Sequence, residues 1–171
     1  YPAAAIVLCS TAGEIFEKKV MDDSISVTAI EFEKTAIKTA EISIDDYKLN
    51  SYEAGLALVK KLELTDDLCY IMVLSDGGKV NGSELINGIN DYVNYKVPVT
   101  GGLAGDGTSF SSTLVGLNAE PGSGKIVAIG FYSTHLKVAH GSMGGWEMFG
   151  PERMVTKSSG NELFEINNEN S

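Results

Sequence analysis

Two segments combine small hydroxyl residues, glycines and a carboxylate in a pattern typical of small-ligand binding. Residues 8–15 read Leu-Cys-Ser-Thr-Ala-Gly-Glu-Ile, and residues 99–107 read Val-Thr-Gly-Gly-Leu-Ala-Gly-Asp-Gly. In each segment an apolar run ends abruptly in small residues, which let the backbone come close to a strand, a tight turn or a ligand. The two segments together are the best candidate for the functional part of the chain.

The chemistry that suits these residues is the binding of a small zwitterion. Such a ligand needs backbone donors for its carboxylate and an acidic group for its ammonium. Glycine N–H groups and hydroxyls supply the donors, an acidic side chain holds the cation, and Trp146 and Tyr132 could form walls. The predicted ligand-binding residues are Ser10, Thr11, Glu14, Gly101, Gly102, Gly105, Asp106, His140 and Trp146. An alternative is that the glycines only allow close packing and sharp turns, with Asp106 capping its own loop.

The same segments also permit a nucleophile hypothesis, which we favour less. Cys9 or Ser10 would attack, His140 would act as base and Asp106 would orient it. No Gly-x-Ser-x-Gly elbow surrounds Ser10, and the apolar context of Cys9 does not favour a thiolate. We therefore predict no enzyme activity and no catalytic residue, and keep a small hydrolase as an alternative.

Other glycine and histidine motifs do not match cofactor sites. Residues 121–126 read Pro-Gly-Ser-Gly-Lys-Ile, without the first glycine and final hydroxyl of a phosphate-binding loop. The glycines from residue 101 onward precede β-type sequence, where a dinucleotide site requires a helix. His135 and His140 fall on opposite faces of a predicted strand, with no other ligand at metal spacing. We predict neither a cofactor nor a metal ion.

Composition excludes several classes of partner. The chain has 171 residues and a formal net charge of −10, from 13 basic and 23 acidic residues. Its length predicts a single domain over residues 1–171. Without clusters of Lys or Arg, neither nucleic acid nor a membrane surface is a predicted partner. Cys9 and Cys69 lie in apolar runs, so we interpret both as buried structural residues in a reducing, cytoplasmic compartment.

The periodicity predicts an α+β fold with mixed, largely antiparallel β-sheets and two main helices. Continuous apolar strands are predicted at residues 3–9 and 68–74, and two antiparallel strands between residues 25 and 44. The helices begin near Asn50, a predicted N-cap, and near Ser83. A strand follows Pro98, and further strands are predicted at 113–117, 125–132, 136–140, 154–157 and 163–166. Because the second helix connects two strands as a crossover, it permits one parallel pairing.

Together the motifs resemble the N-terminal part of FIST domains (F-box and intracellular signal transduction). The resemblance rests on Cys-Ser-Thr-Ala-Gly-Glu-Ile at 9–15 and Gly-Gly-Leu-Ala-Gly-Asp-Gly at 101–107. Weaker support comes from Val-Thr-Lys at 155–157, Gly-Asn at 160–161 and Phe-Glu-Ile at 164–166. It covers nearly the whole chain and implies that the first strand and helix of the family's domain, and its C-terminal partner domain, lie outside this sequence.

The resemblance also implies a function. FIST domains are cytoplasmic sensory modules of bacterial signalling proteins and of some eukaryotic F-box proteins, and amino acids are the usual suggested ligands. The implied partners are a small-molecule ligand, such as an amino acid or small carboxylate, and a signalling output domain or partner protein. The family brings no established catalytic set. A second hypothesis is a docking module that transmits a signal by binding a partner protein and holds no ligand.

Overall fold

The computed structural model describes residues 3–109, 111–141, 143–145, 147–159 and 162–170. The chain divides into two compact units, Tyr1–Val138 and Ala139–Ser171. The α+β class, with two helices and mixed, mostly antiparallel sheets, is confirmed. The single domain over residues 1–171 stays a prediction. No helix among the described residues is both long enough and apolar enough to cross a membrane.

A four-stranded central sheet organises the first unit. The helices and strands of this unit are β1 (Val7–Cys9), β2 (Glu14–Phe16), β3 (Lys19–Met21), β4 (Ala36–Ser43), α1 (Ser51–Lys60), β5 (Leu68–Ser75), α2 (Gly82–Tyr92), β6 (Val99–Leu103), β7 (Val115–Leu117) and β8 (Lys125–Tyr132). The strand order of the central sheet is β4-β8-β5-β6. Strand β8 is antiparallel to both neighbours, and β5 and β6 are parallel because α2 crosses over between them.

Both helices begin at an asparagine that caps the first turn. The Asn50 side chain accepts a hydrogen bond from the Glu53 N–H at 3.1 Å, which confirms the predicted N-cap. The Asn81 side chain accepts from the Glu84 N–H at 3.2 Å, so α2 begins one residue before the predicted Ser83. The cap and the apolar spacing behind it therefore account for where each helix starts.

The core of the first unit has one part on each face of the central sheet, because successive strand residues point to opposite faces. On one face α1 and α2 cover residues such as Ile71, Ile126 and Ala128. On the other face Val127 packs with Val115 and other residues near the short antiparallel ribbon of β1 and β7. This ribbon places the end of β1 beside the end of the central sheet.

The predicted strand within residues 25–32 is wrong, and so is its antiparallel pairing. Only β4 forms from the second half of that region, and it pairs with β8. Ile25 and Val27 are 88% and 82% exposed. The Phe32 ring contacts the Phe131 ring edge-on at 5.8 Å. Within this stretch the structure therefore shows an aromatic contact at Phe32 and exposed side chains at Ile25 and Val27, without a strand ladder.

The predicted strand at residues 136–140 is also wrong. The Ser133 hydroxyl accepts hydrogen bonds from the N–H groups of His135 and Leu136, at 3.1 and 3.2 Å. This turn redirects the chain directly after β8 and occupies two N–H donors that a continuing ladder would have used. Residues 136–140 consequently have no regular secondary structure.

Neither cysteine is fully buried, contrary to the sequence interpretation. Cys9 is exposed and lies at the end of β1, and Leu8 on the other face of this strand is 40% exposed, so the expected two-sided burial of β1 is also wrong. Cys69 is partly buried, and its thiol donates to the Phe131 carbonyl at 3.2 Å. Both cysteines are free.

The second unit contains a small antiparallel sheet. Its strands are β9 (Val155–Ser159), β10 (Glu162–Ile166) and β11 (Glu169–Asn170), in the order β11-β10-β9. The predicted strands at 154–157 and 163–166 are thereby confirmed with slightly different bounds. The Met154 N–H donates to the Asn167 side chain at 2.9 Å, which ties the start of β9 to the turn after β10.

Candidate functional site

The two glycine-containing segments meet at the ends of β1 and β6. The Gly105 N–H donates to the Ser10 carbonyl at 3.1 Å. A Cβ atom at Gly105 would lie 3.1 Å from the Ala12 nitrogen, so the backbones touch there. We call residues 10–14 and 104–107 the loop junction. The sequence predicted that these segments act together, and the structure brings this part of them into contact.

Ser10 has a structural role at the loop junction. Its N–H donates to the Leu114 carbonyl at 2.8 Å, and its hydroxyl oxygen accepts from the Leu114 N–H at 2.9 Å. The pair continues the β1–β7 ribbon by one residue beyond its regular ladder. Ser10 is therefore fixed in place on one side of the junction.

Glu14 is the charged group of the first segment. The hydroxyl of Thr11 donates to one carboxylate oxygen at 2.6 Å, and the hydroxyl of Ser24 donates to the other at 3.0 Å. These bonds, the Thr11 bond first, lower the pKa of the Glu14 carboxyl below its ordinary value. An ionised carboxylate has about four acceptor positions, so two such bonds leave capacity for a cationic ligand.

Asp106 caps the loop that follows it. One of its carboxylate oxygens, Oδ2, accepts from the N–H groups of Ser111 and Ser112, at 2.6 and 3.1 Å. This is the loop-capping arrangement that the sequence left open as an alternative to ligand binding. The carboxylate is half-buried at the junction, with its hydrogen bonds among the described residues all on Oδ2.

Gly101 and Gly102 lie within β6, before the loop junction in the sequence, and both are exposed. A Cβ atom at Gly101 would lie 1.8 Å from the Val73 carbonyl oxygen, so the sheet itself requires glycine there. At Gly102 a Cβ atom would meet nothing within 4 Å. Gly101 and Gly102 precede the first residue of the loop junction in this segment, Ala104, by three and two residues, which is about 10 and 7 Å of extended chain.

The remaining predicted site residues are not part of the loop junction as described. His140 is exposed and belongs to the second unit. Trp146 lies outside the described residues. Tyr132, expected to wall the site, is only 4% exposed and packs in the core beneath the helices, so that expectation is wrong.

Sequence reasoning missed Asp76, a carboxylate that is 1% exposed. Its Oδ1 accepts from the N–H groups of Gly78 and Lys79, at 2.8 and 2.7 Å. Its Oδ2 accepts from the Gly124 N–H at 2.8 Å and the Ser123 hydroxyl at 3.0 Å. The available signal was an Asp-Gly-Gly turn directly after a buried strand.

Hydrogen bonding sets the charge of Asp76. Burial raises the pKa of its carboxyl, but the four hydrogen bonds together outweigh this effect and lower the pKa below its ordinary value. The carboxylate is therefore ionised at neutral pH. With both oxygens already used, its role is to tie the loop after β5 to the turn before β8.

The structure gives little support to a nucleophilic thiol at Cys9. Desolvation raises the pKa of the Cys9 thiol, so the protonated and less reactive form dominates at neutral pH. No group of three or more His, Cys, Asp or Glu side chains that could hold a metal ion occurs within the described residues.

Comparison with known families identifies the class of protein. The model of the FIST N domain family matches residues 1–169, which is essentially the whole chain. The chain therefore belongs to the FIST N domain family, and FIST domains are sensory domains of signal transduction. Searches of curated proteins and of solved structures found no match.

Proposed function

We propose that this chain is a sensory input domain that binds a small ligand, an amino acid or a small carboxylate, at the loop junction. The observation that carries this proposal is the direct contact between the two segments, through the Gly105–Ser10 hydrogen bond of 3.1 Å. Functional groups from distant parts of the sequence are thereby close together, which is how binding sites are usually built. The domain would act in the cytoplasm, without catalysis of its own, and signal to an output domain or partner protein.

The charges of the loop junction favour a ligand with an ammonium group. Glu14 is ionised, is oriented by two hydroxyls and keeps spare acceptor positions. Asp106 adds a second carboxylate to the same junction. The exposed backbone at Gly107, with φ of 67°, offers a peptide unit with no side chain in front of it for a ligand's carboxylate.

The test is a thermal-shift screen of the chain against the common amino acids and small carboxylates. A ligand at one hundred times its dissociation constant stabilises a protein by about 2.7 kcal/mol, a readily measured change. We expect a stabilising compound whose effect is lost in Glu14→Gln and kept in Glu17→Gln. Glu17 is an exposed acidic residue of the β2–β3 hairpin, so its variant is a control with the same change of charge.

A flat screen on folded protein would contradict the proposal, as would a hit that survives Glu14→Gln. A flat screen would favour the second candidate function, docking of a partner protein, whereas a surviving hit would place the ligand at another site. That candidate is supported by exposed apolar side chains around β2 and β3. These side chains are Ile15, Phe16, Val20, Ile25, Val27 and Ile30. Replacing several of them with serine would then abolish signalling to the partner while the chain stays folded.

A further inference from the structure

Strand β6 is an edge strand, and the pattern of its bonds to β5 shows which of its backbone groups face outward. The Ile71 N–H donates to the Pro98 carbonyl at 3.0 Å, and the Ala104 N–H donates to the Ser75 carbonyl at 2.8 Å. Bonding to a parallel neighbour alternates with a period of two residues. The even-numbered residues of β6 therefore face β5. Val99, Gly101 and Leu103 direct their N–H and C=O groups away from the sheet.

The outer edge of β6 has none of the features that normally prevent strand addition. Such features are charged side chains, proline within the strand and β-bulges. Residues 99–103 contain no charged residue and no proline, and the β5–β6 register runs without a shift. Leu103 is 52% exposed.

The opposite edge of the same sheet is protected. Strand β4 carries the charged residues Lys38 and Glu41. The outward-facing carbonyl of Glu41 accepts a hydrogen bond from the Lys61 ammonium at 2.9 Å. The fold thus blocks one edge of the sheet with a cation and leaves the other edge open among the described residues.

The open space around Gly102 is compatible with the addition of another strand. Its φ lies outside the left-handed region, and a Cβ atom there would meet nothing within 4 Å. Neither backbone conformation nor packing within the described part of the chain explains a glycine at this position. A glycine in a strand also marks the close approach of another backbone or a ligand. The space beside Gly102 can accommodate side chains of a strand added next to β6.

We propose that the outer edge of β6 accepts an extended, positively charged segment of a partner protein as a fifth strand. Backbone hydrogen bonds to Val99, Gly101 and Leu103 would supply the affinity. The net charge of −10 favours the approach of a basic segment over that of an acidic one. Two copies of this chain repel each other, and residues 98–105 carry no charge that could offset the repulsion. This edge ends at Leu103, next to the loop junction, but uses none of the junction's side chains, so strand addition does not require a small ligand.

The first test measures binding of a short labelled peptide that alternates lysine with valine, by fluorescence anisotropy at low salt. Two further peptides carry N-methyl groups on alternate amides, one on the odd and one on the even positions. A strand added at an edge uses only one set of amides. We expect one methylated peptide to bind like the parent and the other to bind about tenfold more weakly. Added salt should weaken binding.

Protein variants then locate the binding edge. Leu103→Pro removes an outward N–H without removing any bond to β5, whereas Leu103→Ala removes the side chain and keeps that N–H. We expect Leu103→Pro to lose most of the affinity and Leu103→Ala to keep most of it. Gly102→Lys should weaken binding of the basic peptide relative to Gly102→Glu. Thermal unfolding of each variant confirms that it is folded.

Several outcomes would overturn the proposal. Equal binding of both methylated peptides would show that no strand is added. Equal affinity of Leu103→Pro and Leu103→Ala would place the peptide elsewhere. Self-association that Leu103→Pro abolishes would make a second copy the occupant. Since Glu14→Gln does not touch this edge, it should leave peptide binding unchanged whatever the amino-acid screen shows.

Discussion

The buried carboxylate of Asp76 offers a sharp test of how the first unit is held together. Asp76→Asn keeps the size of the side chain but replaces one acceptor oxygen with an NH₂ group. An amide NH₂ at the Oδ1 position would face the N–H groups of Gly78 and Lys79. At the Oδ2 position it would face the Gly124 N–H, while the Ser123 hydroxyl can turn to accept from it, so this second orientation creates one donor-to-donor contact. The substitution tests these four bonds without leaving a cavity.

The expected magnitude follows from those contacts. A buried donor left without a partner destabilises a protein by about 1–3 kcal/mol. One such donor at Asp76→Asn, together with the replacement of charge-assisted hydrogen bonds by neutral ones, gives an expected loss of about 2–3 kcal/mol in the free energy of unfolding at pH 7, a large part of the 5–15 kcal/mol typical of a domain. The control is Asp45→Asn, because the ion pair of Asp45 with Lys79, at 3.2 Å, is exposed. We expect its loss to be below about 1 kcal/mol.

The pH dependence gives a second measurement on the same variant. The pKa of Asp76 is lower in the folded chain than in the unfolded chain. Its contribution is therefore complete above the unfolded pKa, about 3.9, and is lost as the pH falls through the folded pKa. Urea unfolding of wild type and Asp76→Asn should differ most near neutral pH, and the difference should shrink below about pH 4. A loss under about 1 kcal/mol at pH 7, or a difference that stays constant into acid, would refute the reasoning.

Two further predictions concern packing in the first unit. Tyr132→Phe should leave the free energy of unfolding unchanged or raise it by up to about 1 kcal/mol, because the Tyr132 hydroxyl is buried without a hydrogen-bond partner among the described residues. A clear loss of stability in urea unfolding would show that the hydroxyl has a partner. Gly88→Ala should destabilise by about 2–3 kcal/mol, since its Cβ would lie 2.2 Å from the Tyr52 carbonyl oxygen in α1. Gly102→Ala, in open space, should stay within about 0.5 kcal/mol and serves as its control in thermal unfolding.

Local signals predicted the parts of the fold that depend on neighbouring residues. The cap at Asn50, the buried strand after Leu68 and the strand from Lys125 to Tyr132 all follow from short patterns. The strand predicted after Ile25 failed for a physical reason. An alternating pattern favours a strand, but a strand forms only where a neighbouring strand completes its hydrogen bonds. The strand predicted at 136–140 failed for a different reason, because the Ser133 hydroxyl binds the N–H groups that would have continued the ladder of β8.

The candidate site was predictable only in part. The small residues at Ser10 and Gly105 correctly indicated close contact between two segments. The position of Gly101 and Gly102 up the strand depends on where β6 ends, which composition does not reveal. The role of Asp76 depends on the turn at residues 123–124, whose proximity is a tertiary property. The residues next to Asp76 in the sequence do not reveal that its partners lie at residues 123–124.

The contacts of Ser10 have a consequence for the order of folding. Its partner Leu114 lies 104 residues further along the chain. Closing so long a loop is entropically unfavourable, and such contacts form slowly, after local helices and hairpins. The loop junction therefore completes late and exists only when the rest of the first unit is assembled. A molecule bound there would slow the unfolding of the whole unit, and amide hydrogen exchange would record the effect far from the point of contact.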